Sequence, residues 1–226
     1  MAALELKKHR IAFIPGTGRM GGLIADHVAK AGLNVIIGSR SKDKAVAAAA
    51  KISHSSSNGT VTGFTNEEAA SLGTIIVWSP FGPLAERDAL LKSLAQQLKD
   101  KVIIDVTNIL YLLDESSWGQ VSSTLLNEKA LGVPARWTTA FKSTFWKLLE
   151  ALPDTNNPHH TFVAGDDPEA VDITIALVES IPGFKGVKAG GLKYSKLVEV
   201  LGPTWLVELD KLNGGGNYRT GWRFGL

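Results

Sequence analysis

Apolar and polar positions alternate along this chain in two rhythms. Short unbroken apolar runs (Arg10-Ile-Ala-Phe-Ile-Pro15, Leu33 to Gly38, Val61 to Phe64, Thr74 to Trp78 and Lys101 to Val106) read as strands buried on both faces. Between the first two, Met20, Leu23, Ile24, His27, Val28 and Ala31 recur at steps of three and four, which is one face of a helix that Gly32 closes. The Ala-rich stretch Lys42 to Ile52 predicts a second helix, and the polar segment His54 to Gly59 a turn. A brief helix is expected over Asn66–Leu72, and Leu84, Leu91, Leu94, Ala95 and Leu98 mark another. Strands and helices taking turns in this way predict an α/β fold, a Rossmann-like, doubly wound and mostly parallel sheet.

The pattern continues beyond the fifth strand. Helices are expected near Val121–Leu131 and Thr144–Ala151, with a strand near Arg136–Phe141 between them. A loop over Leu152–His160 leads to a strand at Thr161–Ala164, a helix opened by Asp167-Pro168 and a last strand at Lys185–Ala189. Tyr194, Leu197, Val198, Leu201, Trp205, Leu209 and Leu212 make one long helical stripe, with a kink expected at Gly202-Pro203. The tail from Asn213 through three glycines to Asn217 reads as flexible. No repeat or linker divides the chain, so residues 1–226 are expected to form one extended dinucleotide-binding domain.

Composition narrows the function. Of 226 residues, 44% are hydrophobic and 20% charged, which excludes a disordered or fibrous chain. The net charge is only +2 and the basic residues are scattered, so nucleic acid is not an expected partner despite a pI near 8.7. No apolar stretch approaches the ~18–20 residues of a membrane span, and Met1 to Arg10 has no apolar signal-peptide core. Without cysteine there are no disulfides, thiolate metal sites or cysteine nucleophiles. A cytoplasmic protein is expected.

The chemistry begins at Gly16-Thr17-Gly18-Arg19-Met20-Gly21, a complete G-x-G-x-x-G that follows a strand and opens a helix. Gly16 would permit the tight turn, Gly18 the close approach of a pyrophosphate, and Gly21 the packing of helix on strand. The anion would rest on free N–H groups at the helix N-terminus. An NAD site usually ends its second strand in Asp or Glu, about 20 residues past the motif. This chain has Gly38-Ser39-Arg40-Ser41-Lys42, with Lys44 beyond. Ser39, Arg40 and Lys44 can donate to a 2′-phosphate that a carboxylate would repel, so NADP(H) is expected rather than NAD(H).

The stretch Gly16 to Ala45 (GTGRMGGLIADHVAKAGLNVIIGSRSKDKA) resembles the start of the NADP-dependent oxidoreductases that use deazaflavin coenzyme F420. That domain also occurs in the cytoplasmic half of the STEAP ferric reductases and, more distantly, in pyrroline-5-carboxylate reductases. IIVWSP, KVIIDVTN and AGDDPEA…GF…AGGLKYSKLVE extend the resemblance over nearly the whole chain. It implies pyrophosphate contacts from Gly16, Thr17, Gly18, Arg19 and Met20, and a 2′-phosphate site at Ser39, Arg40 and Lys44. It also implies cofactor contacts at Trp78, Ser79 and Pro80; Asp105 and Asn108, at and just after the end of the fifth strand, are further candidate cofactor contacts. Two features depart from it: Lys142 stands where the STEAP-like pattern has Asn, and the insert Ile109 to Ser117 carries Tyr111. Without membrane helices, a STEAP-type transfer to haem is not implied.

Other constellations are expected to be structural. His159 and His160 read as solvated loop residues rather than a metal pair, and no metal site is expected. Asp166-Asp167-Pro168-Glu169 reads as a helix start. Asp105 suits a ligand contact and a loop bridge equally. Of the downstream aromatic and basic residues (Trp137, Phe141, Lys142, Phe145, Trp146, Lys193, Trp205, Trp222, Arg223 and Phe224), Trp205 is expected to serve packing. Phe141 and Lys142 are the expected acceptor site, Phe141 stacking on a planar ring and Lys142 pairing with its anionic substituent. No catalytic residue is evident; Lys142, Tyr111 and Tyr194 are the candidate proton donors.

The expected activity is hydride transfer between NADPH and a planar acceptor, a deazaflavin or flavin, which needs no strong protein acid. Alternatives are an imine or small-carbonyl reductase and a non-catalytic NADP-binding sensor. A homodimer through the C-terminal helix is expected.

Overall fold

The computed structural model describes residues 6–55, 59–151 and 154–224, side chains 54, 55 and 203 aside. The turn at His54–Gly59 and the loop beginning at Leu152 lie partly outside them. Strands β1 (Arg10–Ile14), β2 (Asn34–Ser39), β3 (Val61–Thr65), β4 (Ile75–Trp78), β5 (Val102–Asp105), β6 (Arg136–Thr139), β7 (His159–Gly165) and β8 (Phe184–Lys188) form one sheet in the order β3-β2-β1-β4-β5-β6-β7-β8. The first six are parallel, in the order of a two-halved dinucleotide-binding sheet. β7 joins β6 antiparallel, Thr139 opposite Ala164, and β8 runs parallel to β7.

Continuous apolar strands bury both faces, and the two-residue period divides their side chains between two layers. Ile11, Phe13, Val35, Ile37, Val77 and Ile104 meet helices α1 (Arg19–Lys30), α2 (Lys42–Ser55) and, further along, α8 (Pro168–Glu179). Ala12, Ile14, Ile36, Ile76, Trp78 and Ile103 meet α3 (Asn66–Leu72), α4 (Leu84–Ser93), α5 (Ala95–Leu98) and α6 (Ser123–Leu131). Caps set the helix starts: Thr65 and Glu68 form a reciprocal capping box on α3, and Asp167 caps α8 with Pro168 behind it. His27 of α1 reaches the Leu149 carbonyl of α7 (Trp146–Ala151) at 2.7 Å.

The C-terminal stripe is broken where expected. α9 (Ser195–Glu199) passes through an irregular turn into α10 (Trp205–Asn213), and Gly202 holds the non-helical pair φ −99°, ψ −121°. Any Cβ there would collide with the carbonyl oxygen of Lys142. Trp205 is not core: its side chain is 48% exposed, with its ring 6.1 Å from that of Trp222.

Beyond the glycines the described tail is folded back. Buried Asp210 accepts from Tyr218 N (3.0 Å) and Thr220 Oγ1 (2.5 Å). The segment then runs beside the start of β7, where His160 N donates to Trp222 O at 2.9 Å. One expectation about the loops is corrected: His159 and His160 are buried, not solvated. The Nδ1 atoms of these rings accept the amides of Trp222 (3.2 Å) and Phe224 (2.8 Å), and His159 Nε2 faces Thr144 Oγ1 at 3.0 Å.

Burial, helped by the charges of His160 and Arg223, pushes the His159 pKa from 6.5 down to about 4. The unfolded chain therefore takes up a proton that the fold refuses, and stability falls as pH drops from 6.5 toward 4. At pH 5 we expect His159 to lower stability by about 2 kcal/mol relative to pH 7. Urea unfolding at both pH values should show that increment in the wild type and lose it in His159→Gln.

Candidate functional site

A cleft of about 660 Å³ opens beyond the carboxyl ends of β1, β4 and β5, where the strand order reverses. That is the place and the size range, ~300–1,000 Å³, of a small-molecule site in such a sheet. Its walls are Gly18, Arg19 and Met20 at the start of α1, Ser79 to Phe81 after β4, and Val106 to Asn108 with Tyr111 after β5. Thr144, Phe145, Trp146 and Tyr218 complete it from the C-terminal half.

The glycine loop is built as its spacing predicts. Gly16 N donates to Gly38 O at 2.8 Å, tying the loop to the end of β2. At Gly21 a Cβ would stand 2.5 Å from Ser79 Oγ and 3.1 Å from Pro15 O, so α1 can lie this close to β4 only without a side chain. At Gly18 a Cβ would meet nothing within 4 Å, because that position faces the open cleft. Gly18 is the N-cap of α1, no side chain caps the helix, and its first turn holds no acidic residue. Orphan N–H groups and the positive end of the helix dipole thus face space large enough for a diphosphate.

At the end of β2, Ser39 is nearly buried and its Oγ accepts Ser41 N at 3.3 Å. Arg40 and Lys44 are exposed, with no ion-pair partner among the described residues. Lys42 is engaged by Glu68 at 2.9 Å. No carboxylate ends the strand. Uncapped donors at α1, open space at Gly18 and cations after β2 together fit a dinucleotide bearing a 2′-phosphate.

Four expected site residues sit elsewhere. The Trp78 ring is fully buried in the core layer beneath α3 and α4, and the cleft wall after β4 begins at Ser79. Phe141 packs in the opposite layer, 6.2 Å from the Phe184 ring, and cannot stack on an acceptor. Lys142, with its side chain fully buried, is held by Asp105 Oδ2 (3.1 Å), Glu199 Oε2 (3.3 Å), Ser123 Oγ (2.5 Å) and the Thr107 carbonyl. Its ammonium has no capacity left for an acceptor's charge. Asp105 is also fully buried and serves as a bridge: it accepts Thr107 N (2.8 Å), Thr107 Oγ1 (2.6 Å) and Asn127 Nδ2 (3.3 Å). Burial alone would raise the Asp105 pKa, but Lys142 and Thr107 hold it below the ordinary carboxylate value. Glu199 closes the network on Ile109 N (2.6 Å) and Ser123 N (2.8 Å).

Of the cleft's aromatic walls, Tyr111, Phe145 and Trp146 were among the residues singled out from the sequence, while Phe81 and Tyr218 were not. Phe81, 86% exposed, stacks on Tyr111 with centroids 5.9 Å apart and planes 10° from parallel. An apolar residue in Ser79-Pro-Phe-Gly-Pro83, at a strand's carboxyl end, was a readable signal for such a role. Trp146 carries Arg19 over its face, 4.2 Å from the centroid, and Phe145 meets Tyr218 edge-on at 5.3 Å. Nothing local marks Tyr218, which lies two residues beyond the triple glycine. Burial, the largest influence, raises the Tyr111 hydroxyl pKa above its usual value. Among the described residues no cluster of potential ligands could hold a metal, and no helix is long and apolar enough to cross a membrane.

The fold and cleft define a dinucleotide-binding α/β protein whose phosphate loop lies at the sheet's switch point. Comparison with known proteins makes this specific. A family model described as NADP oxidoreductase, coenzyme F420-dependent, matches residues 10–109. The F420-dependent NADP reductase of Methanothermobacter thermautotrophicus is 31% identical over 217 residues, 90% of each chain. That of Methanocaldococcus jannaschii is 28% identical over 212 residues, 86% of this chain and 89% of that protein. The chain belongs to the F420-dependent NADP reductase family. A solved chain from Arthrobacter sp. FB24, provisionally described as such a reductase, superposes with a TM-score of 0.71 over 96% of this chain and 100% of its own. At 22% identity that likeness speaks to the fold alone.

Replacing Lys142 would leave Asp105 and Glu199 buried without their cation. We expect Lys142→Met to lose about 3–5 kcal/mol of stability, the range for breaking a buried ion pair from one side. The loss should shrink at pH 5, where facing carboxylates can take up a proton. Denaturant titration at pH 7 and pH 5 checks both; a loss below about 1 kcal/mol at pH 7 contradicts the arrangement.

Proposed function

We propose that this protein is an NADP-dependent oxidoreductase that transfers hydride between NADPH and the deazaflavin coenzyme F420, working as one extended domain. The observation that carries the reading is the uncapped start of α1 opening at Gly18 into the cleft, with Ser39 and Arg40 after β2. When bound, the nicotinamide supplies a hydride from its ring to a planar acceptor. The amides that follow Gly16, Thr17 and Gly18, together with Arg19 and Met20, hold the pyrophosphate. Ser39, Arg40 and Lys44 hold the 2′-phosphate with charge assistance. Ser79, Pro80, Thr107 and Asn108 border the reacting end, and the aromatic walls exclude water and orient the acceptor. An acceptor ring of this kind takes hydride without a strong protein acid.

NADPH oxidation with F420, FMN and a cyclic imine as acceptors tests the activity; turnover only with the imine would overturn it. NADPH should bind at least tenfold more tightly than NADH, about 1.4 kcal/mol. Arg40→Asp should lose most of that preference. Gly18→Val should lose dinucleotide binding with an unchanged circular dichroism spectrum, because its side chain would enter open space. Equal dissociation constants for the two cofactors by calorimetry would defeat the assignment of Ser39 and Arg40.

The assembly we propose is a cytoplasmic homodimer. Tyr194, Leu197, Trp205 and Leu212 are 41%, 50%, 48% and 80% exposed along α9 and α10 and the turn before them, apolar surface of the kind that subunit interfaces cover. Sedimentation at micromolar concentration should give twice the chain mass, and Leu197→Glu should shift it toward monomer. A wild-type monomer would count against the dimer without touching the activity.

A further inference from the structure

The tail between Gly214 and Phe224 is held by contacts from Tyr218 onward, and Tyr218 lines the cleft. Asp210 fixes the near end through Tyr218 N and Thr220 Oγ1. The far end is fixed by His159, His160 and the Leu201 carbonyl, which accepts Trp222 Nε1 at 2.8 Å. Tyr218, whose amide is the first of these anchors, adopts φ +57°, a left-handed conformation costly for a bulky side chain. That backbone choice turns its ring against Phe145, edge-on at 5.3 Å and 77°, and brings it into the cleft lining. The stacked pair Phe81–Tyr111 lines the same cleft.

The nucleotide contacts argued above come from the ends of β1, β2, β4 and β5 and the loops that follow them, within the 10–109 segment that matches the family model. Tyr218 reaches the cleft from outside that segment. Resting on the hydride-transfer reading, we propose that Tyr218 is an acceptor-positioning residue: the docked tail presents its ring as an apolar wall for the deazaflavin, and the ring rather than the hydroxyl does this. A planar acceptor gains a packed aromatic neighbour, while the cofactor's phosphates and ribose gain nothing from it.

The test uses Tyr218→Asn, because Asn tolerates a left-handed backbone and leaves the tail able to dock. Amide exchange at Trp222 and Phe224 verifies docking. With F420 varied at saturating NADPH, Tyr218→Asn should raise the acceptor KM about five- to tenfold with kcat within twofold, the pattern of binding lost equally from ground and transition states. Tyr218→Phe should keep the wild-type KM within twofold, and the NADPH dissociation constant should be unchanged in both. An unaltered KM in docked Tyr218→Asn, an equal rise in Tyr218→Phe, or weakened NADPH binding would each overturn the proposal. A wild type that fails to reduce F420 with NADPH would instead overturn the activity on which it rests.

Discussion

The cleft depends on one buried ammonium group. Lys142, just past β6, draws together Asp105 at the end of β5, Ser123 at the start of α6 and Glu199 at the end of α9. Residues 106–108 between them line the cleft, and the segment is gripped from both sides, Thr107 by Asp105 and the following Ile109 by Glu199. Burying three charges is costly, and a well-packed apolar replacement is often at least as stable. What the polar cluster adds is direction. Each carboxylate accepts several donors at fixed angles, so a loop that no strand or helix continues is held in one conformation. The adjacent Gly202 turn exists for the same region, since the chain there passes against the Lys142 carbonyl too closely for any side chain.

What could be read from the sequence was what depends on near neighbours along the chain. The glycine loop declares itself within six residues, the apolar strands within five or six, and the α3 and α8 caps within four. The choice of Ser39-Arg40 over a carboxylate is legible because the end of β2 has one task in such folds. Lys142 was misjudged for the opposite reason. A lysine after a strand's carboxyl end suggests a ligand when its partners, 37 and 57 residues away, are invisible. The His159-His160 pair looked like loop because its burial comes from the tail, more than 60 residues on. Trp78 erred by register: it ends β4 but on a face turned into the core, and one residue of phase decides that. Phe141 lies past the end of β6 in a bend with φ +57°, which strand alternation does not foretell, and its ring is in the core.

The two halves of the cleft also differ in how firmly they are built. The side we propose for the nucleotide combines backbone (glycine spacing, helix N–H groups and strand ends) with the side chains of Ser39, Arg40 and Lys44, beside a sheet whose core side chains are almost wholly buried. The side we propose for the acceptor is lined by side chains on connections, with Phe81 in a loop, Tyr111 in a short turn and Tyr218 on a tail. These can change without disturbing the core, because none belongs to either apolar layer. The tail is secured by contacts that need neutral imidazoles and an ionised Asp210, a combination met near neutral pH and lost in acid. Hydride transfer demands that two ring systems be held face to face with little freedom. A rigid cradle for the shared nucleotide and replaceable aromatic walls for its partner meet that demand while leaving the choice of partner to a few side chains.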